Sequence, residues 1–322
     1  MPIIESNYSP SFIFRNTHLN TVYKTLFLSS EIDYKRVRIL TNDNDFLDLD
    51  FSLTGSKTLV IASHGLEGSS NSKYIVSVVK YLNSKQIDCL ALNYRGCSGE
   101  DNHILQSYHS GRSDDLATVI KYVEENYNYQ NIVLLGYSMG GNITLKYLGE
   151  NNNIPSKIKG AITVSAPCDL EGSSYELSKT INKVYINRFL KSLKKKAQLK
   201  IEKFPEANFN YSEIISAKNF TEFDNSFTAP LFGYKNAQDY WRKNSSLPLL
   251  KTIRKPTLVL SALDDTFLSK SCYPFEAATN NTHIYLETPK YGGHVGFNTS
   301  TNKTKNLWSE TRIHQFIQHI IS

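Results

Sequence analysis

Short apolar segments alternate with amphipathic helical segments along most of this chain, and this alternation restricts its fold more than any other feature. Four of the apolar segments occupy residues 59–62, 89–92, 132–135 and 161–164. Their near lack of polar positions is typical of strands that are buried on both faces of a sheet. The segments between them at residues 75–82 and 116–123 carry apolar side chains at i, i+3, i+4 and i+7, which predicts helices. Strands that alternate with helices predict a parallel sheet joined by βαβ crossovers.

The alternation is interrupted once. Residues 170–250 are rich in lysine and aromatic residues and contain no buried-strand pattern, whereas strand patterns return at 256–260 and 283–286 before a closing helix. Residues 35–53 show apolar and polar side chains in alternation, which predicts a hairpin of half-buried strands. We therefore predict one α/β domain over residues 1–322, with a mostly parallel central sheet flanked by helices. Its predicted parts are an N-terminal extension (about 1–29), a core (about 30–169 and 251–322) and an inserted, mainly helical cap (about 170–250).

The composition excludes several classes of protein. The chain has 322 residues, of which 40% are hydrophobic and 20% charged, and this is enough apolar material for one large core. No apolar run approaches the ~18 residues that span a membrane, and the N-terminus lacks the basic start and apolar stretch of a signal peptide, so we expect a cytoplasmic protein. The net charge of +6 is spread along the chain, so nucleic-acid binding is not indicated. The four cysteines form no CxxC pair, so neither a zinc site nor a disulfide framework is predicted.

One basic segment stands out from this balanced charge. Residues 191–200 contain five lysines in a stretch of helical character. Such a helix could make weak peripheral contact with an anionic membrane surface. A solvated helix face in a lysine-rich chain is the simpler interpretation, because charge runs usually serve as solvated surface.

The motif GxSxG occurs at residues 136–140, directly after a buried-strand pattern and directly before a helical one. This is the context of a nucleophile elbow, in which a serine with a strained backbone is carried on a sharp turn above the sheet. Side chains at either glycine would collide with the strand or the helix, which explains the spacing. We predict Ser138 as a nucleophile, and the alternative is a glycine-rich turn with a structural serine.

A serine hydroxyl needs an imidazole to take its proton and a carboxylate to orient that imidazole. In folds with such an elbow the partners follow in the chain order Ser, Asp, His. Asp264 and Asp265 follow a predicted strand, and His294 lies in a glycine-rich loop just past the last strand. Loops at the carboxyl ends of parallel strands open on the same rim, so we predict His294 as the base and one of the two aspartates as the acid. Counting from the strand end favours Asp265, with Asp264 capping the turn.

The oxyanion of an acyl-transfer intermediate must be met by two backbone amides. One is predicted to belong to Met139, the residue after the serine, and the other to Leu66, in the loop after residues 59–62. His64 is interpreted as an organiser of that loop, and Glu67 would have to point away from the oxyanion. A metal site at His64 and Glu67 lacks a third ligand of suitable spacing, so neither a metal nor a cofactor is predicted.

Several motifs, in the same order along the chain, resemble those of the YheT-like branch of the α/β-hydrolases. They occupy residues 64–70, 93–100, 108–111, 136–149, 165–167, 264–265 and 292–297. The branch also includes eukaryotic abhydrolase-domain lipases and plant relatives, and the resemblance covers nearly the whole chain. It implies a carboxylic-ester hydrolase with a helical cap, and in some relatives a phospholipid or a short-to-medium acyl ester as substrate. Carried over to this sequence, it implies Ser138 as nucleophile, an acid within 264–265 and His294 as base, while Arg95 and His109 belong to its signatures without an assigned role.

These observations predict a serine esterase that forms an acyl-enzyme with a small-molecule ester, lipid esters included. The cap is rich in aromatic residues, and since ligand pockets are mostly apolar, we predict that some of them line a channel for short-to-medium apolar acyl chains. Two alternatives stay open. One is an acyltransferase that resolves the same acyl-enzyme with an alcohol, and the other is a non-catalytic binding module on a hydrolase scaffold.

Overall fold

The structure, a computed structural model, describes residues 3–28, 31–302 and 307–322. The start of the predicted N-terminal extension and its boundary with the core, at residues 29 and 30, lie outside the described residues. Within the described ranges, nine strands form one sheet. In chain order the strands are β1 Ile3–Ile4, β2 Lys35–Leu40, β3 Phe46–Ser52, β4 Thr58–Ser63, β5 Asp88–Asn93, β6 Asn131–Tyr137, β7 Ile158–Val164, β8 Thr257–Leu260 and β9 Ile284–Glu287.

The mostly parallel sheet predicted from the sequence is confirmed. The strand order is β1-β9-β8-β7-β6-β4-β5-β3-β2, and all pairs are parallel from β1 to β5, whereas β3 pairs antiparallel with both β5 and β2. Alternate residues of a central strand serve opposite faces, so that Leu59 and Ile61 join one apolar cluster and Val60 and Ala62 join another. This two-sided burial is why such strands are apolar at nearly every position.

Strand β3 of the predicted hairpin is more deeply buried than its alternating pattern predicts, whereas β2 is mostly exposed. Six of the seven residues of β3 are buried, including Asp48 and Asp50. In the register Arg36 lies opposite Asp50 and Arg38 lies opposite Asp48, and each guanidinium donates two hydrogen bonds of 2.7–2.8 Å to its carboxylate. Because bidentate pairs satisfy both carboxylate oxygens and the arginine stems cover them, polar side chains can occupy a buried strand.

Helices pack on both faces of the sheet. In chain order the α-helices of the described residues are α1 Thr17–Phe27, α2 Lys73–Ser84, α3 Ser113–Asn126, α4 Met139–Glu150, α5 Leu170–Ser178, α6 Lys183–Lys203, α7 Tyr211–Ser216, α8 Phe220–Phe223, α9 Ala229–Leu231, α10 Ala237–Asn244, α11 Phe275–Asn280 and α12 Trp308–Ile321. Helices α2 and α12 contribute Ile75 and Ile313 to the apolar cluster on one face. Helices α3 and α4 contribute Leu116 and Ile143 to the cluster on the other face. The predicted α/β fold with flanking helices is therefore confirmed.

The chain between β7 and β8 is fully described and contains helices α5 to α10 without a strand. We call residues 170–252 the cap. A π-helical turn at Asp224–Thr228 interrupts its helices. Buried cap side chains such as Phe227 and Trp241 form a third apolar cluster, which also includes Phe267 from a loop of the core. The aromatic residues concentrated in this region thus pack together into a layer that reaches the core.

The N-terminal segment is built into the core, where the sequence analysis expected an extension. Strand β1 pairs in parallel with β9 and forms an edge of the sheet. Helix α1 is anchored by Lys24, whose Nζ lies 2.8 Å from Glu310 Oε1 of α12, with both side chains at most 5% exposed. This arrangement is hard to predict from the sequence, because a two-residue strand shows no periodicity and its partner strand lies at the other end of the chain.

Candidate active site

Ser138 lies on the turn between β6 and α4, with φ of 52° and ψ of −121°. A positive φ is uncommon for a residue with a side chain, and here it marks the strained turn of a nucleophile elbow. A Cβ atom at Gly140 would lie 2.5 Å from the Ser63 carbonyl oxygen, and one at Gly136 would lie 2.3 Å from the Gly140 carbonyl oxygen. Since backbone atoms cannot yield to such contacts, the close approach of strand and helix requires the GxSxG spacing.

The structure brings Ser138, His294 and Asp265 together in one hydrogen-bonded chain. His294 Nε2 lies 2.8 Å from Ser138 Oγ, and His294 Nδ1 lies 2.8 Å from Asp265 Oδ2. The second carboxylate oxygen, Oδ1, accepts a hydrogen bond of 2.9 Å from the Phe267 amide. The Asp265 side chain is fully buried, while that of His294 is 11% exposed. With a carboxylate as its partner, Nδ1 carries the ring proton, which leaves Nε2 able to accept a proton from the serine.

Asp264, the other candidate acid, is not bonded to the imidazole. Its Oδ1 accepts a hydrogen bond of 2.8 Å from the Gly293 amide, and its backbone carbonyl accepts one of 2.7 Å from Thr17 Oγ1. Burial, reinforced by the charge of Asp265, raises the pKa of Asp264 to about 6. Where the sequence analysis expected a turn cap, Asp264 tethers the loop that carries His294.

Residues outside the predicted set hold the His294 loop in place. The His294 amide donates to Thr21 Oγ1 at 2.9 Å, and the Val295 amide donates to Ser165 Oγ at 3.0 Å. The Phe267 ring stacks on the imidazole with the ring centroids 4.2 Å apart. Neither Thr21 nor Phe267 belongs to a predicted site motif, and Ser165 carried a signal only as the first residue of a family motif. These side chains act on backbone and ring positions, which short sequence patterns do not encode.

The two predicted oxyanion donors border the same cavity as the serine. Leu66 and Met139 line it together with Ser138, and within the described residues neither amide donates a hydrogen bond to another protein group. Both N–H groups are therefore available for an oxyanion. His64 is fully buried, and burial lowers its pKa to about 4. Because the Tyr94 amide donates to its Nε2 at 3.3 Å, His64 fits the interpretation as a neutral organiser of this loop.

Glu67 turns its side chain towards helix α6 of the cap. Its Oε1 lies 2.9 Å from Lys196 Nζ and accepts a hydrogen bond of 2.5 Å from the Tyr108 hydroxyl. Its Oε2 accepts a hydrogen bond from Ser192. The carboxylate was expected only to point away from the oxyanion. It has three partners in the structure, Tyr108 on the core and Ser192 and Lys196 on the cap.

The basic segment at residues 191–200 lies within α6 and divides its lysines between the core and the solvent. Lys196 and Lys200 form ion pairs with carboxylates of the core, and Lys200 is buried. Lys191 and Lys195 are exposed. Only part of the segment is thus available for the peripheral membrane contact considered from the sequence.

A mainly apolar cavity extends from Ser138 into the space between cap and core. Its cap lining includes Leu170, Phe189, Phe223, Phe227, Leu231 and Trp241. Two buried titratable side chains also line it. Burial raises the pKa of Asp224 to about 6, and its Oδ2 accepts a hydrogen bond of 2.8 Å from Trp241 Nε1. Burial lowers the pKa of His109 to about 3, so this motif residue is a neutral part of the cavity wall.

Arg95, the other motif residue without an assigned role, is a structural residue outside this cavity. It is buried and forms ion pairs with Asp43, Asp45 and Asp115 at 2.6–3.1 Å. A buried guanidinium needs such partners, because an unpaired buried charge is strongly destabilising. Arg95 therefore joins the β2–β3 turn to the start of α3.

A second cleft also reaches Ser138 and His294. It lies between Leu26 and its neighbours on α1, residues 65–74 from the loop after β4 into the first turn of α2, and Arg188 on α6. Ser138 therefore borders two spaces of different character. One is the apolar cavity beneath the cap, and the other is a cleft lined by both polar and apolar side chains.

Two kinds of feature are absent from residues 3–28, 31–302 and 307–322. No helix there is long and apolar enough to cross a bilayer. The same residues contain no group of three His, Cys, Asp or Glu side chains arranged to hold a metal ion.

Comparison with known proteins identifies the family. The profile of the alpha/beta hydrolase fold matches residues 58–299. The chain is 33% identical to the YheT protein of Escherichia coli (strain K12) over 316 residues, which cover 96% of this chain and 92% of that protein. It is 26% identical to phospholipase ABHD3 of Homo sapiens over 330 residues, which cover 99% of this chain and 80% of that protein.

A solved structure shows the same fold. An esterase of Pyrococcus furiosus, Pf2001, superposes with a TM-score of 0.61 at 19% identity, over 92% of this chain and 95% of that one. The family motifs, the strand order and these similarities agree with one another. The chain belongs to the α/β-hydrolase family and, within it, to the YheT-like branch.

Proposed function

We propose that this protein is a serine hydrolase that cleaves carboxylic esters through an acyl-enzyme intermediate. The observation that carries the proposal is the hydrogen-bonded chain from Ser138 Oγ through His294 to Asp265, with 2.8 Å at each step. An imidazole between a hydroxyl and a buried carboxylate can take up the hydroxyl proton, which converts a weak nucleophile into a strong one. The relative named as a phospholipase supports hydrolysis as the class of reaction.

In the first half-reaction Ser138 Oγ attacks the ester carbonyl carbon, and His294 Nε2 takes the serine proton. The negative charge moves to the carbonyl oxygen, where the amides of Leu66 and Met139 bind it. Asp265 keeps the imidazole oriented and stabilises its charged form. When the tetrahedral intermediate collapses, the bond from the carbonyl carbon to the alcohol oxygen breaks, and His294 returns its proton to the departing alcohol.

In the second half-reaction water occupies the place of the alcohol. His294 takes a proton from this water as the water oxygen attacks the acyl carbon, and the same two amides bind the second oxyanion. Collapse of this intermediate breaks the bond between the acyl carbon and Ser138 Oγ, and His294 gives its proton back to the serine. The carboxylic acid then leaves and the enzyme is restored.

We assign the apolar cavity to the acyl chain and the second cleft to the alcohol. A cavity walled by phenylalanine and leucine side chains stabilises methylene groups that leave water. The alcohol must depart and water must enter in each cycle, and a cleft with polar side chains on its walls suits both. This assignment makes esters of short-to-medium apolar acids the expected substrates.

Hydrolysis of p-nitrophenyl esters from acetate to octanoate tests this substrate class, with Ser138→Ala as the background control. Each methylene that enters the cavity should contribute up to about 0.8 kcal/mol, or up to about fourfold in kcat/KM, until the cavity is filled. Acetate esters that react as fast as hexanoate or octanoate esters would show that the cap aromatics are structural. Addition of an alcohol tests the acyltransferase alternative, because a new ester would then appear in place of the free acid.

A further inference from the structure

The side chain of Glu67 connects the cap to residues 64–72, the loop between β4 and α2 that carries Leu66 and that we call the oxyanion loop. Glu67 directly follows Leu66, and its φ of 55° places its backbone in the left-handed region, which is uncommon for a residue with a side chain. Two of its partners, Ser192 and Lys196, lie one turn apart on helix α6. The third, Tyr108, belongs to the core. The loop next to Leu66 is thus held by one partner from the core and by two that can act only while α6 is docked on the core.

Tyr108 bonds Glu67 at two points. Its hydroxyl accepts a hydrogen bond of 3.0 Å from the Glu67 amide and donates one of 2.5 Å to Glu67 Oε1. Side chain and backbone of Glu67 are therefore fixed through the same hydroxyl. The Glu67 amide belongs to the peptide that follows Leu66, so this pair of bonds fixes one side of Leu66. The peptide that carries the Leu66 N–H group is held at its Gly65 carbonyl oxygen, which the Gly68 amide meets at 3.0 Å.

A carboxylate at this position needs a cation. Glu67 and Lys196 both line the cavity that Ser138, Leu66 and Met139 border, and the Glu67 side chain is only 8% exposed. A lone negative charge there would oppose the negative charge that develops on the substrate oxygen. Lys196 Nζ, 2.9 Å from Glu67 Oε1, cancels that charge.

The groups around the pair keep both partners charged. Burial raises the pKa of Glu67, but Lys196, Ser192 and Tyr108 outweigh this effect and hold that pKa below its usual value. Burial also lowers the pKa of Lys196, but the Glu67 carboxylate and a hydrogen bond of 3.3 Å from Nζ to Cys97 Sγ outweigh it and hold that pKa above its usual value. The other titratable groups that face the pair are neutral, because burial raises the pKa of the Cys97 thiol to about 11, raises that of Tyr108 and lowers that of His64 to about 4.

We propose that Glu67 and Lys196 are positioning residues for ester hydrolysis, which lock helix α6 onto the oxyanion loop, hold the Leu66 N–H group in place and keep that side of the oxyanion site uncharged. The inference rests on the proposed function. It makes the competence of the oxyanion site depend on the docked cap. Glu67 and Lys196 act through Leu66 and through the local field, without touching the reacting atoms.

Charge removal at Lys196, with and without removal of the Glu67 charge, tests the pair. Lys196→Met should lower kcat for p-nitrophenyl butyrate by about 10- to 100-fold with KM changed less than about threefold, because the lost interaction matters mainly in the transition state. Glu67→Gln in the same chain should recover at least about fivefold of that loss, because the opposing charge is gone. Lys195→Met, at an exposed lysine one residue away, is the matched control and should stay within about twofold of wild type.

The pH dependence separates this role from a purely structural one. Without Lys196 the buried Glu67 carboxyl holds its proton to higher pH. The ratio of kcat in Lys196→Met to kcat in wild type should therefore be larger at about pH 5.5 than at about pH 8.5, and the double variant should show a flatter ratio. Equal loss in the single and double variants, or a pH-independent ratio in Lys196→Met, would overturn the proposal.

Another variant tests the positioning role of Glu67 if Lys196→Met does not fold. Tyr108→Phe keeps both charges and removes the hydroxyl that bonds Glu67, and it should lower kcat by about three- to tenfold with little change in KM. Wild-type kcat in Tyr108→Phe would overturn the proposal. A wild-type protein without esterase turnover would instead refute the proposed function, so the two failures are distinguishable.

Discussion

Replacement of Asp265 by Asn is the substitution whose effect follows most directly from the hydrogen bonds of the site. Asp265 Oδ1 accepts from the Phe267 amide at 2.9 Å, while Oδ2 faces His294 Nδ1 at 2.8 Å. An Asn side chain that keeps its oxygen on the Phe267 amide must point its NH₂ group at Nδ1. The ring proton then moves to Nε2, the nitrogen that has to accept the proton of Ser138.

The size of the effect can be worked out from these two bonds. In the productive orientation the Asn oxygen would face Nδ1, and its NH₂ group would then face the Phe267 N–H group. This leaves a buried donor unpaired, which costs about 1–3 kcal/mol, so that only about one molecule in 5 to 150 adopts this orientation. The loss of a charge-assisted hydrogen bond to the imidazolium costs a further ~1.5–3 kcal/mol. We therefore expect Asp265→Asn to lower kcat by about 10²- to 10⁴-fold.

Steady-state hydrolysis of p-nitrophenyl butyrate by both Asn variants measures this effect. Asp264→Asn is the matched control, because it makes the same chemical change one residue away and an Asn oxygen can still accept from the Gly293 amide, which Asp264 Oδ1 meets at 2.8 Å. It should stay within about fivefold of wild type. Activity of Asp265→Asn within tenfold of wild type would contradict Asp265 as the residue that orients His294. Lower activity in Asp264→Asn than in Asp265→Asn would assign that role to Asp264.

Two further predictions concern stability. The pKa of Asp264 is about 6 in the folded protein, which is above its value in the unfolded chain. Its contribution to stability is therefore complete below the unfolded-state pKa and is lost as pH rises through about 6. The Tm of Asp264→Asn relative to wild type should be higher at about pH 8 than at about pH 4, and a pH-independent difference would contradict this. Gly140→Ala should lower the free energy of unfolding by about 2 kcal/mol or more in chemical denaturation. Its Cβ would lie 2.5 Å from the Ser63 carbonyl oxygen and 2.7 Å from that of His64. A variant as stable as wild type would show that the elbow is less tightly packed.

The central sheet is predictable from the sequence because burial on both faces removes polar residues from its strands. The same reasoning underestimates β3, where paired arginines bury Asp48 and Asp50 within an alternating pattern. It also misses β1 and α1, because these elements are defined by contacts with β9 and α12 at the far end of the chain. Local periodicity cannot report contacts of that sequence separation.

The candidate site is also only partly predictable from the sequence. Ser138 and His294 stand out because an elbow and a glycine-rich loop impose local backbone requirements that short motifs record. The roles of Thr21, Ser165 and Lys196 cannot be predicted in this way, since each is a common residue type whose role depends on a distant partner. The catalytic roles, the acyl preference and the cytoplasmic location inferred from the sequence stay predictions.

Covalent labelling with a fluorophosphonate, followed by intact mass and peptide mapping, measures whether Ser138 is an activated nucleophile. Such probes react with a serine only when a neighbouring base activates it. Wild type should gain one probe at Ser138, Ser138→Ala should remain folded and unlabelled, and Ser212→Ala, at an exposed serine of the cap, should label as wild type. Labelling that persists in Ser138→Ala, or a probe mapped to any other serine, would contradict the assignment of Ser138 as the nucleophile.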